Sequence, residues 1–186
     1  MFKKISLVLM LLLGATMMFA QDAKKEAETV KTKMDAFASK TGTITKFTDS
    51  KLSGLKTIYG GVAETRIRKI TSGAVTSYFF QIEKEGKYSN STASIEYSDL
   101  LEVIKALATL KGDVDKDMAL MPDYLENKFI TVDGFQVGYY VSNGKSTWYL
   151  KLEKYGSDNT LFIDNPDTIS KAFDEAKLKI DELKKI

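Results

Sequence analysis

Neither cysteine nor histidine occurs anywhere in this sequence, and each absence removes a chemistry. Without histidine there is no Ser-His-Asp triad, no imidazole general base and no His-containing zinc or copper site. Without cysteine there is no thiolate nucleophile, no iron–sulfur cluster and no disulfide, so the fold must hold by packing alone. Arginine is scarce: Arg66 and Arg68 are the only two. Proline also occurs only twice, and 44% of the residues are hydrophobic, a composition that argues against disorder. No glycine-rich phosphate loop of either standard spacing is present. Gly60-Gly61 is a bare pair between strand-like runs and reads as a turn. No cofactor is implied, and carboxylates are the catalytic groups that remain.

The one long apolar run lies at the start. Lys3 and Lys4 form a basic region, Ile5 to Leu13 an apolar one, and Ala20 is a small residue before polar Gln21-Asp22. That pattern reads as a secretory signal peptide over residues 1–20, and it predicts a bacterial exported protein, periplasmic or secreted. No later run is long enough for a stable membrane span. Removing Lys3 and Lys4 from the 27 basic residues leaves 25, which match the 25 acidic ones. A neutral mature chain with two arginines lacks the electrostatic footprint of a nucleic-acid binder. Residues 21–186 are expected to form a single domain, long enough to bury a core.

Along the chain, residues 21–40 read as an amphipathic helix carrying Ala27, Val30, Met34 and Phe37 on one face, ended by Thr41-Gly42. Strand-like runs follow at 43–47, 54–59 and 62–70, the last pairing with 75–84 across a short turn. If that turn has two residues, Arg68 lies opposite Phe79 and Arg66 opposite Gln81, with Glu64 and Glu83 nearby. A strand over 91–97 closes the first unit. Ser98-Asp99 is placed to cap a helix carrying Leu101, Ile104, Leu107 and Ala108 inward and stopped by Gly112. Residues 113–127 read as a polar connection with a short helix near Pro122.

The second half is clearer. A strand over 129–132 and a tight turn at Asp133-Gly134 precede two strands flanking Asn143-Gly144, the strongest short hairpin signal. A two-residue turn sets Ser142 against Lys145, Tyr139 against Trp148, Val137 against Leu150 and Phe135 against Leu152. The other face pairs Tyr140 with Thr147, Gln136 with Lys151 and Gly138 with Tyr149, an aromatic covering a glycine. A strand over 160–163 then meets a helix with Asn165 as N-cap and Pro166 at its first position. Ile169, Phe173, Ala176, Ile180 and Leu183 face inward.

The two halves resemble each other. Tyr78 to Gly86 reads like Trp148 to Gly156, and Ser72-Gly73-Ala74 aligns with Ser142-Asn143-Gly144. The expected fold is α+β: an antiparallel sheet with helices packed on one face, built from two duplicated hairpin/strand/helix units at about 41–112 and 127–186.

Four features are weighed as sites. Asp113-Val114-Asp115-Lys116-Asp117 begins like a calcium loop, but its sixth and twelfth places hold Met118 and Tyr124 instead of Gly and Glu. It reads as an acidic linker. Arg66 and Arg68 alternate on one strand, share a face, and can grip a carboxylate or phosphate. Phe79, Tyr140 and Tyr149, with Tyr88 and Tyr155 in loops, offer a sugar or peptide platform. Asn90-Ser91-Thr92 fits a glycosylation pattern of little meaning in a bacterial exported chain. The preferred reading is a non-enzymatic exported binding or interaction domain, its partner a protein or glycan of the envelope or exterior. The alternatives are a carboxylate hydrolase, drawing on scattered Asp123, Glu126, Asp133 and Glu153, and a structural or assembly protein of the cell envelope.

Overall fold

A computed structural model describes residues 32–185. The proposed signal peptide and most of the proposed first helix lie outside the described residues. Of that helix, α1 spans Lys33–Ala38, entered through a capping box in which Thr32 and Asp35 exchange hydrogen bonds.

Two antiparallel sheets follow. The first contains β1 (Thr45–Lys51), β2 (Leu55–Lys56), β3 (Val62–Ser72), β4 (Val75–Lys84) and β5 (Ser91–Glu96), in the order β1-β3-β4-β5 with β2 also pairing β3. Helix α2 (Tyr97–Ala119) comes next. The second sheet is a meander of β6 (Leu125–Ile130), β7 (Gln136–Ser142), β8 (Lys145–Lys151) and β9 (Thr160–Ile163), followed by α3 (Pro166–Leu183). The chain is therefore α+β. Each half runs hairpin, strand, helix, and Ser72 faces Val75 across its turn as Ser142 faces Lys145.

Turn chemistry fixes both registers. Asn143 and Gly144 adopt φ of 51° and 69°, which a type I′ turn requires. The expected pairs Tyr139–Trp148, Val137–Leu150 and Gly138–Tyr149 are all present. In the first sheet Arg66 faces Gln81 and Arg68 faces Phe79. Gly138 is required by close approach: a Cβ there would lie 2.4 Å from the Asn127 carbonyl oxygen and 2.7 Å from Lys128 Cβ.

The long helices α2 and α3 pack against each other and against the strands of both sheets. Phe80, Ile82 and Ile95 of the first sheet join Val137, Tyr139, Trp148 and Leu150 of the second in one apolar cluster with both helices. Phe173 of α3 lies edge-on to Phe80, ring centres 5.2 Å apart, and 5.9 Å from Phe135. Short α1 sits on the opposite face of the first sheet, where Met34 Sδ is 3.5 Å from Gln81 Nε2. Helices therefore lie on both faces of that sheet.

Four expectations need correction. The run over 54–59 contributes only Leu55–Lys56 as strand. The helix after β5 starts at Tyr97 with Glu96 as N-cap, its carboxylate accepting from Ser98 N at 2.7 Å. Its buried stripe is Leu100, Val103, Leu107, Leu110 and Val114, which keeps Leu107 of the expected residues and turns the rest of the face one step round. Nor does Gly112 stop it: the helix continues to Ala119, taking in Asp113 to Asp117. Gly112 has ordinary helical geometry and open space where a Cβ would stand. Gly112→Ala should therefore raise stability by about 0.5–1 kcal/mol through lost unfolded-state entropy. An unchanged or lower urea midpoint would contradict this.

Candidate functional site

The face of the first sheet under α1 carries one polar network built across neighbouring strands. Arg66 Nε donates to Gln81 Oε1 at 2.8 Å, and its Nη2 donates to Glu83 Oε2 at 2.5 Å. Gln81 Nε2 in turn donates to Ser94 Oγ at 2.8 Å, so a relay runs from β3 through β4 to β5. Arg68 makes a two-point contact with Asp49 of β1, Nε to Oδ1 at 2.8 Å and Nη2 to Oδ2 at 2.6 Å. Asp49, not Glu64, is the partner that completes the neutralisation. Gln81 is buried to 1% exposure, and its amide is satisfied on both ends.

These contacts shift the acids. The hydrogen bond from Arg68 holds the Asp49 carboxyl below the usual carboxylate range. Arg66 and then Asn90 do the same for Glu83. Folded-state values below the unfolded ones mean that this stabilisation is fully present above the ordinary values of 3.8 and 4.5. It is lost as pH falls below them. The urea midpoint should drop on acidification through that window, and Asp49→Asn should flatten part of the drop. A parallel pH profile in the variant would contradict this.

Beside the network lies a cleft of about 500 Å³. Its walls come from α1 (Met34, Asp35), the first sheet (Arg66, Arg68, Gln81, Thr92, Ser94), the β6–β7 turn (Asp133, Phe135) and the segment after β8 (Leu152 to Tyr155). Two carboxylates lace these walls together through backbone amides. Asp133 Oδ2 accepts from Lys33 N at 2.9 Å, and Glu153 Oε1 accepts from Thr92 N at 2.9 Å. The Lys33 ammonium goes elsewhere, to buried Asp99, at 2.5 Å. Burial raises the Asp133 pKa, the Lys33 amide opposes the rise, and the Asp99 and Asp35 charges add to it.

The five residues proposed from sequence separate here. Arg66 and Arg68 line the cleft. Phe79 does not present an aromatic surface: it is buried to 1% exposure on the face that α1 covers. Tyr149 is buried too, its hydroxyl donating to Glu126 Oε1 at 2.6 Å. Burial and that carboxylate both raise its pKa. Tyr140 remains half-buried, stacked on exposed Tyr124 with ring centres 6.1 Å apart. Tyr155 is exposed at the mouth of the cleft.

The calcium-like run is helical, and its Asp117 accepts from the Tyr139 hydroxyl at 2.6 Å. Burial and that carboxylate push the Tyr139 pKa up to about 12. Among the described residues no group of three or more carboxylates is placed to hold a metal ion, and no helix is long and apolar enough to cross a membrane. Sequence reasoning missed Gln81, Ser94 and Thr92 as site residues. The alternation that places Gln81 and Ser94 on the Arg66 face was the signal available.

Comparison with protein-family models, curated proteins and solved structures finds no match for this chain.

Proposed function

We propose that this chain is an exported bacterial binding protein, non-enzymatic, whose ligand seats in the cleft between α1, the first sheet and the segment after β8. The observation that carries the reading is the cleft itself. It is concave, and apolar Met34, Phe135 and Leu152 alternate there with a few convergent polar groups, as in small-ligand sites generally. Arg66 and Arg68 are each matched by a carboxylate, which suits hydrogen-bonding recognition of a peptide or glycan better than capture of a free anion. The signal-peptide pattern supports export, with a protein or glycan of the envelope or exterior as partner.

The test is thermal-shift screening against peptides and glycans, since a ligand that binds only the folded state raises its stability. Thr92→Trp places an indole in the cleft on a strand position that favours aromatics. Hits that stabilise the wild type but not this variant support the reading. Hits that stabilise both equally overturn it.

Carboxylate hydrolysis is the second reading. It is favoured by one observation: Asp133 and Glu153, twenty residues apart, line the same cleft, where burial raises the Asp133 pKa. Turnover abolished by Asp133→Asn with stability unchanged would put this reading first.

A further inference from the structure

β5 is the last strand of its sheet, so among the described residues one of its edges has no strand beside it. The two-residue β3–β4 turn makes Ser72–Val75 a hydrogen-bonded pair, and alternation then sends Phe79, Gln81 and Glu83 of β4 toward β3. Phe80, Ile82 and Lys84 are left to bond Ile95, Ala93 and Ser91. Thr92 and Ser94 must therefore direct their backbone groups away from β4. The Thr92 N–H confirms the direction, since it bonds Glu153 on the opposite wall of the cleft. Ser94, two residues on, points its N–H and C=O the same way.

The side chain of Ser94 completes the pattern. Its Oγ accepts from Gln81, at the end of the relay that begins at Arg66, so the hydroxyl proton is left to donate. One residue thus offers two donors and an acceptor at the open edge. Charge is distributed to match. Arg66 and Arg68 are neutralised by Glu83 and Asp49, whereas Asp133 and Glu153 have no ion-pair partner among the described residues.

We propose that the ligand of this cleft is an extended peptide segment that adds as a strand to the β5 edge at Ser94, with a basic side chain directed to Asp133 and Glu153. This rests on the cleft reading above and names its ligand class. Main-chain hydrogen bonds supply the affinity of such an addition, and alternate side chains supply the specificity.

The experiment is selection of a displayed random hexapeptide library on the purified protein, with a glycan panel run beside it. Enriched peptides should carry Lys or Arg at alternating positions and lack proline at the centre. Methylating a central backbone nitrogen of an enriched peptide should weaken it tenfold or more. Ser94→Pro, which removes the edge donor at a position where an edge strand accepts proline, should lose the selected peptides. Peptides indifferent to both changes overturn the proposal, whatever their sequence. A glycan that binds, and is lost in Thr92→Trp, overturns strand addition but keeps the cleft. Enrichment of nothing on either arm overturns both.

Discussion

Phe173→Ala is expected to cost about 3–5 kcal/mol, the range for removing a fully buried aromatic ring. The ring has 0% exposure and touches Phe80 of the first sheet and Phe135 in the β6–β7 turn of the second. It belongs to the apolar cluster that the two sheets share. The loss should appear as one transition moved to lower urea, with Trp148 fluorescence and far-ultraviolet circular dichroism coinciding. Trp148 is the only tryptophan and sits in the second sheet, so it reports on that half. A fluorescence transition that stays in place while the dichroism curve shifts would show that the halves unfold independently.

Lys33→Met is the second large effect, expected at about 1–3 kcal/mol. Asp99 is 5% exposed and bonds the Lys33 ammonium at 2.5 Å. Burial works against the lysine's charge, but the hydrogen bond and charge of Asp99 outweigh it and raise its pKa. Removing the ammonium leaves a buried carboxylate without its partner, and that desolvation is what the variant loses. A third of the lysine side chain reaches solvent, which keeps the figure below that of a fully buried pair. Adding Asp99→Asn should recover most of the stability, because a neutral amide tolerates the site. Limited proteolysis should cut Lys33→Met faster within residues 39–44 as α1 loosens. Equal midpoints in wild type and variant would show that α1 is held by other contacts.

The parts of the fold that were legible in the sequence are those set by local chemistry. Asn143-Gly144 dictated a turn, the turn dictated a register, and the register placed six apolar residues on one face. Asn165 and Pro166 marked the start of α3 in the same way. What misled was context beyond the local window. Gly112 looks like a stop, yet the buried Val114 beyond it outweighs a single glycine's helix cost. Ser98-Asp99 looks like a cap, but Asp99 is used to hold α1, a partner 66 residues away.

The site was half legible for the same reason. Alternation put Arg66 and Arg68 on one face, and their register opposite Gln81 and Phe79 followed from the turn. Nothing local says that α1 folds over that face, or that Phe79 is buried there. Nothing local says that Tyr149 ties its hydroxyl to Glu126 across an intervening strand either. Nor does anything local say that Asp133 accepts from the amide of a residue 100 positions earlier.

Amide exchange at Ser94 tests the open edge most directly. The account predicts that this amide exchanges far faster than those of Ala93 and Ile95, which bond β4, and becomes protected when a selected peptide is added. A Ser94 amide as slow as its neighbours in the free protein would contradict it.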